Sequence, residues 1–242
     1  MNDQTSTDRL ALEVQDLDSY YGELQVLRKA SLKIREREVV ALFGPNGHGK
    51  STLLKTICGI QPATSGSIKY RGREISGLST ENTVEMGLAY IPEGRNLFAD
   101  MTVLDNLTLG AYKRSARKHI QESLGFVFSL SPRLEERISQ MASTLSGGEG
   151  RMLAVGRGLM SRASLLLIDE PSIGLSPLLK QDVFEAIDQI RKTTETTILL
   201  VEQEVDHPLQ LADNVYLLRQ GQIILERRAS EIDRAQIEEA YF

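Results

Sequence analysis

The stretch Val39-Val40-Ala41-Leu42-Phe43-Gly44-Pro45-Asn46-Gly47-His48-Gly49-Lys50-Ser51-Thr52 decides how the rest of the chain is read. Five consecutive apolar residues predict a strand buried on both faces. The nine that follow fit the pattern G-x-x-x-x-G-K-[ST], placed after a strand and ahead of a helix as phosphate binding requires. Gly44, Gly47 and Gly49, with Pro45, Asn46 and His48 between them, let successive backbone N–H groups converge on an anion without a Cβ in the way. The helix predicted to start near Lys50 adds the positive end of its dipole. Lys50 is expected to neutralise β- and γ-phosphates, and Ser51, followed by Thr52, to offer its hydroxyl to Mg²⁺. His48 occupies a variable position of the pattern and reads as a side chain near solvent.

Two further apolar runs have the same texture, Leu165–Ile168 and Thr197–Val201. Between them Val183, Phe184, Ile187 and Ile190 recur at helical spacing, and Ser176-Pro177 supplies an N-cap followed by proline. Strand and helix alternate, which predicts an α/β core with a mainly parallel sheet. Residues 12–34 instead carry short alternating segments, the mark of an antiparallel sheet with one wet face. Residues of about 94–162 read as a helical insertion. Thr102 and Asp105 form a capping-box pattern, and helical spacing follows over 103–111, 116–130 and 148–160. Tyr216–Leu218 and Ile223–Leu225 flank a Gln220-Gly221 turn and predict a hairpin, with a short helix to close the chain. The polar segment 1–9 reads as a flexible start, and residues 10–242 as one domain.

Leu165-Leu166-Leu167-Ile168-Asp169-Glu170 is a strand ending in two carboxylates. Neighbouring residues of a strand point to opposite sides, so the two acids are assigned different tasks. Asp169 suits the Mg²⁺ shell, and Glu170 suits a general base for an attacking water. Leu145-Ser146-Gly147-Gly148-Glu149 precedes an amphipathic helix and is a second glycine-rich helix start able to donate N–H groups to an anion.

These motifs, in this order, resemble the ATP-binding cassette family, whose signature is L-S-G-G-[QE]. The resemblance runs from about Leu12 to Phe242. It implies two cassettes meeting head to tail around ATP, with Ser146, Gly147 and Gly148 of one facing residues 44–52 of the other. It further implies that Tyr21, beside Tyr20, stacks on adenine. Three positions depart from the common pattern. Glu93, in Pro92-Glu93-Gly94-Arg95, stands where Gln is usual, as a carboxylate able to reach Mg²⁺ or water. Gln203, in Val201-Glu202-Gln203, stands where a switch His is usual and retains one hydrogen bond for phosphate. Gly174-Leu175-Ser176-Pro177 replaces G-L-D-P. Gly150-Arg151-Met152-Leu153 also departs, from Gln-Gln-Met-Leu.

Together with Met101-Thr102-Val103, these segments are similar to the second ATP-binding subunit of branched-chain (hydrophobic) amino acid importers, with urea and amide importers close by. The resemblance implies a second ATPase subunit, or the same chain again, two membrane permeases and an extracytoplasmic binding protein. Leu97 and Phe98, near the junction of insertion and core, are candidate permease contacts unless they pack inward.

Composition is compatible with this reading. The chain of 242 residues is 41% hydrophobic and 25% charged, an ordinary globular balance. A net charge of −5 speaks against nucleic acid as the main partner. The single thiol, Cys58, cannot form an internal disulfide and reads as a small core residue in a reduced compartment. No apolar run approaches the roughly 18–20 residues that cross a bilayer, and the first nine residues lack a signal-peptide core. The expectation is a cytoplasmic protein, peripheral on the inner face of the membrane. Two other readings stay open. One is a soluble cassette protein acting outside transport, which would normally carry two cassettes or a long coiled coil. The other is a regulatory subunit that no longer hydrolyses ATP.

Overall fold

The computed structural model describes residues 9–240. Most of the expected flexible start therefore lies outside the described residues. Two sheets organise the chain. The first is four-stranded, in the order β2-β1-β4-β5, built from β1 (Leu10–Tyr21), β2 (Leu24–Arg35), β4 (Ser65–Tyr70) and β5 (Arg73–Glu74). All its pairings are antiparallel. Inward residues of β1 and β2 alternate with wet ones, so Leu12, Val14 and Leu17 fall on the core side.

The second sheet holds six strands in the order β10-β9-β3-β8-β7-β6. They are β3 (Val39–Phe43), β6 (Leu88–Ile91), β7 (Leu165–Asp169), β8 (Thr197–Glu202), β9 (Asn214–Arg219) and β10 (Gln222–Arg228). β9, β3, β8, β7 and β6 run parallel, and β10 pairs antiparallel at one edge. Every residue of β3, β7 and β8 is buried, which explains why those three read as unbroken apolar runs.

Helix α1 (Lys50–Ile57) leads from β3 to β4 and α2 (Thr80–Met86) from β5 to β6, between the two sheets, while α8 (Pro177–Thr193) joins β7 to β8 within the parallel core. Ser176 caps α8 through the Leu179 N–H, with Pro177 at the first position. The helical insertion holds α3 (Val103–Gly110), α4 (Arg114–Arg117), α5 (Ile120–Leu130), α6 (Pro132–Glu136) and α7 (Gly147–Met160). A reciprocal capping box between Thr102 and Asp105 starts α3. The single helix expected over 116–130 is broken at Lys118-His119 into α4 and α5. β4, β5, β6 and α2 have no counterpart in the sequence reading. β6 has only four residues, too few to declare a period.

The predicted terminal hairpin positions the phosphate loop. Gln220 and Gly221 both have left-handed φ, 49° and 81°, matching the right-handed twist of a two-residue turn. The Gly221 N–H donates to the His48 carbonyl at 3.0 Å, and its own carbonyl accepts from Arg28 N–H at 2.9 Å. A Cβ at Gly221 would lie 2.2 Å from the Val26 carbonyl oxygen. Gly221→Ala should therefore cost about 2 kcal/mol or more in chemical denaturation. A midpoint within error of wild type would show that the hairpin does not brace the loop.

Candidate functional site

Register places the chemistry. Along the carboxyl edge of the parallel sheet, Ile91 pairs with Ile168, Asp169 with Val201, and Glu202 with Phe43. The four strand ends therefore deliver Pro92-Glu93, Asp169-Glu170, Glu202-Gln203 and the loop from Gly44 to one side of the sheet. Open α/β sheets bind ligands at that edge.

A cavity of about 350 Å³ opens there. It is lined by Asn46, Gly47, Gly49, Lys50, Ser51, Thr52, Glu93 and Glu170, together with Val26 and Ile173. The last two were not anticipated. Val26 comes from β2, and its part in the floor could have been suspected only from knowing that β2 folds over the loop. A larger cavity of about 460 Å³ lies between α5, the end of α7 and the turn after α8. It is lined by none of the candidate binding or catalytic residues read from the sequence.

Lys50 is 3% exposed, and its Nζ donates to the carbonyls of Gly44 at 2.8 Å and Pro45 at 3.2 Å. It also meets Asn46 Oδ1 at 3.4 Å and pairs with Glu170 Oε1 at 2.9 Å. Ser51 Oγ donates to Asp169 Oδ1 at 3.0 Å. The other oxygen of Asp169 accepts from Tyr90 Oη at 2.7 Å. Burial raises the Asp169 carboxyl above its usual range, while the bonds from Tyr90 and Ser51 pull it back. Tyr90 was missed because nothing in Leu88–Ile91 announced a strand.

The two acids do have different partners, but not for the reason the sequence suggested. β7 ends at Asp169, and Glu170 takes a left-handed conformation, φ 43°. That turn, costing roughly 1–2 kcal/mol for a residue with a Cβ, sends the Glu170 side chain to Lys50. Its N–H donates to the Val201 carbonyl at 2.9 Å.

Other sequence candidates sit elsewhere. The His48 side chain lies outside the cavity and is half-buried; Nδ1 accepts from the Gln220 N–H at 3.3 Å. Only its backbone remains a candidate for phosphate binding. Tyr21 is 46% exposed at the end of β1, outside the cavity lining. Gln203 is exposed at the end of β8. Leu97 packs against the core, whereas Phe98 is 50% exposed, so only Phe98 keeps its candidacy as a contact.

Ser146 and Gly147 are exposed at the start of α7, where the Ser146 hydroxyl accepts from the Glu149 N–H and Glu149 caps back. Gly148 is buried; a Cβ there would lie 2.6 Å from Leu179 Cδ2. It lines a cavity separate from that of the loop. Cys58 is buried, and burial pushes its thiol up to about 12, which keeps it unreactive.

Among the described residues, no cluster of three or more His, Cys, Asp or Glu side chains could cage a metal. What the site offers is the Ser51 hydroxyl, the buried Asp169 carboxylate bonded to it and the more exposed Glu93. Such a sparse set of hard oxygen donors suits Mg²⁺, which keeps water and shares its shell with phosphate oxygens.

With the geometry in place, comparison with known proteins decides the class. The chain belongs to the ABC transporter family, which it matches over residues 27–173, and is one of that family's nucleotide-binding ATPase cassettes. It is 42% identical to the high-affinity branched-chain amino acid transport ATP-binding protein BraG of Pseudomonas aeruginosa, covering 95% of this chain and 98% of that one. It is 37% identical to the probable branched-chain amino acid transport ATP-binding protein LivF of Archaeoglobus fulgidus, covering 89% and 91%. Among solved structures it resembles an ATP-binding cassette of an ABC transporter crystallised in its ADP conformation, with TM-score 0.81, 26% identity and coverage of 96% and 94%.

Glu202 is a buried carboxylate that the sequence reading passed over. Its oxygens accept the N–H groups of Ser172 at 3.0 Å and Gln203 at 3.2 Å. Burial nevertheless raises its carboxyl from an ordinary 4.5 to about 7. Below 4.5 both folded and unfolded chains hold this proton; between 4.5 and 7 only the folded chain does. Stability from this group therefore falls as pH rises through that window, by on the order of 3 kcal/mol in all. Urea midpoints recorded from about pH 5 to 7 should show this slope in wild type and lose most of it in Glu202→Gln. An unchanged slope in the variant would assign the effect to another group.

Proposed function

We propose that this chain is the ATP-hydrolysing subunit of an importer for branched-chain or similar hydrophobic amino acids. It works head to tail with a second cassette, beneath two membrane permeases supplied by an extracytoplasmic binding protein. The observation that carries the ATPase half is the buried Lys50–Glu170 pair at the mouth of the glycine-rich loop, beside the Ser51–Asp169 bond. The transport half is supported by near full-length likeness to subunits named for branched-chain amino acid transport. No helix among the described residues is long and apolar enough to cross a membrane, so membrane attachment would come through partners.

In this reading the N–H groups of residues 44–49 and the start of α1 hold the nucleotide's phosphates, and Lys50 supplies the compensating charge. Tyr21, at the exposed end of β1, offers a ring face to the base. Ser51 and Asp169, with Glu93 alongside, would hold Mg²⁺, which supplies charge neutralisation at the phosphates. Tyr90 fixes the rotamer of Asp169. Glu170 accepts the proton of the attacking water, and Gln203 orients that water or a phosphate oxygen by one hydrogen bond. The exposed Ser146-Gly147 start of α7, with Gly148 packed behind it, faces the nucleotide held by the partner cassette.

Replacing Glu170 by Gln keeps the size of the side chain and removes the base. Steady-state turnover should fall by about 10²–10⁴-fold, while ATP should hold the pair together on a sizing column. Equal turnover in variant and wild type would remove Glu170 from this role. The transport assignment is checked by mild-detergent pull-down from native membranes, where two polytopic permeases and a second ATPase should co-purify. Recovery of ribosomal or DNA-associated chains alone would overturn it.

A further inference from the structure

α7 turns two arginines inward. Arg151 is 2% exposed, and its Nη1 donates to the Pro92 carbonyl at 3.2 Å. Its Nε is buried with no hydrogen-bond partner, the one such side-chain atom among the described residues. Arg157 donates to the carbonyls of Asn96 at 2.7 Å and Arg95 at 3.1 Å. The loop answers with Arg95, whose Nη1 donates to the Gly147 carbonyl at 3.2 Å. Gly150 makes room for it, since a Cβ there would come within 2.9 Å of that nitrogen.

The loop so held is under strain. Arg95 and Asn96 are consecutive non-glycine residues in the left-handed region, with φ 59° and 45°. Such backbone persists only when its surroundings impose it. Here the imposing contacts come from α7.

Arg151 has an unspent donor among carboxylates. Burial and Arg95 work against its charge, while Glu202, Glu93 and Asp169 favour it. A buried guanidinium with an unsatisfied nitrogen is costly, so a carboxylate oxygen brought to it would be well held. Glu202 already accepts from Ser172 and Gln203, and Asp169 from Ser51 and Tyr90. Glu93 makes no hydrogen bond or ion pair among the described residues, and it directly follows the carbonyl that Arg151 grips. It is the acceptor with capacity to spare.

We propose that Arg151 is a positioning residue for Glu93: it anchors the 92–96 loop to α7 through Pro92 and receives the Glu93 carboxylate on its free Nε in the working site. The start of α7, which carries Ser146-Gly147, and the Glu93 loop then move as one body. This inference rests on the ATPase reading above.

The test is a double-mutant cycle on the full chain, using Arg151→Met, Glu93→Gln and the pair, with Arg151→Lys as the conservative variant. Each single change should lower kcat about 10-fold with KM within about 3-fold, and the double should be no worse than the poorer single. Arg151→Lys should recover part of the loss. Amide exchange of residues 93–98, measured without nucleotide, should quicken in Arg151→Met while the core strands keep their protection. Losses that multiply to about 100-fold in the double, or unchanged exchange in the loop, would overturn the proposal. If Arg151→Met does not fold, Arg151→Gln takes its place in the cycle with the same expected and overturning results. Wild-type protein that turns over no ATP would instead overturn the ATPase reading, and the exchange comparison, which needs no turnover, then judges Arg151 alone.

Discussion

Everything at the carboxyl edge of the sheet answers to one buried ammonium group. Lys50 has three N–H donors and four acceptors within reach: two loop carbonyls, Asn46 Oδ1 and Glu170. Removing a lysine from water is costly unless those donors are satisfied, so the loop must turn its carbonyls inward and Glu170 must come to it. The first demand is met by glycine. Gly44 packs so closely that a Cβ would lie 2.2 Å from the Leu218 carbonyl. The second is met by ending β7 at Asp169 and bending Glu170 into a conformation that residues with a Cβ avoid. Strain at Glu170 and crowding at Gly44 are thus two consequences of one charge placed where the sheet is dry.

The same charge explains how neighbouring carboxylates coexist. Asp169, Glu170 and Glu202 are all buried within two adjacent strand ends. Three carboxylates against one ammonium would leave excess negative charge in the place proposed to hold an anion. Each is therefore dealt with separately. Glu170 takes Lys50, Asp169 takes two hydroxyls, and Glu202 takes two backbone N–H groups and holds a proton up to about pH 7. Arg151 adds a second buried cation, whose charge Glu202, Glu93 and Asp169 favour.

How much of this could be read beforehand follows from how far apart the interacting residues lie. The β3–loop–α1 unit was legible because strand, glycines, lysine and helix start are contiguous, and the observed β3 covers the five predicted residues. β7, β8, the capped α8 and the terminal hairpin were legible for the same local reason. Tyr90, Val26 and Glu202 were not, since each acquires meaning only from a pairing between strands distant in sequence. Ile91 reaches Ile168 across the sheet, and Tyr90 reaches Asp169 only because of that register. The split of the expected 116–130 helix was likewise invisible, because apolar spacing continues through Lys118-His119 while the backbone does not.

A site built this way has a built-in competition when an anion arrives. The donors that phosphate oxygens would need are the ones now spent on Gly44, Pro45 and Glu170. Lys50 can give up Asn46 and a carbonyl at little cost, because those bonds are long or neutral. Parting from Glu170 costs more, since it leaves a buried carboxylate unpaired unless a proton or a donor reaches it. A water held between Glu170 and the incoming phosphate is such a donor. On the proposed reading, the pairing that satisfies Lys50 would therefore also favour, among anions, those that bring a polarisable water to Glu170. That is the physical link the proposed function draws between holding a nucleotide and hydrolysing it.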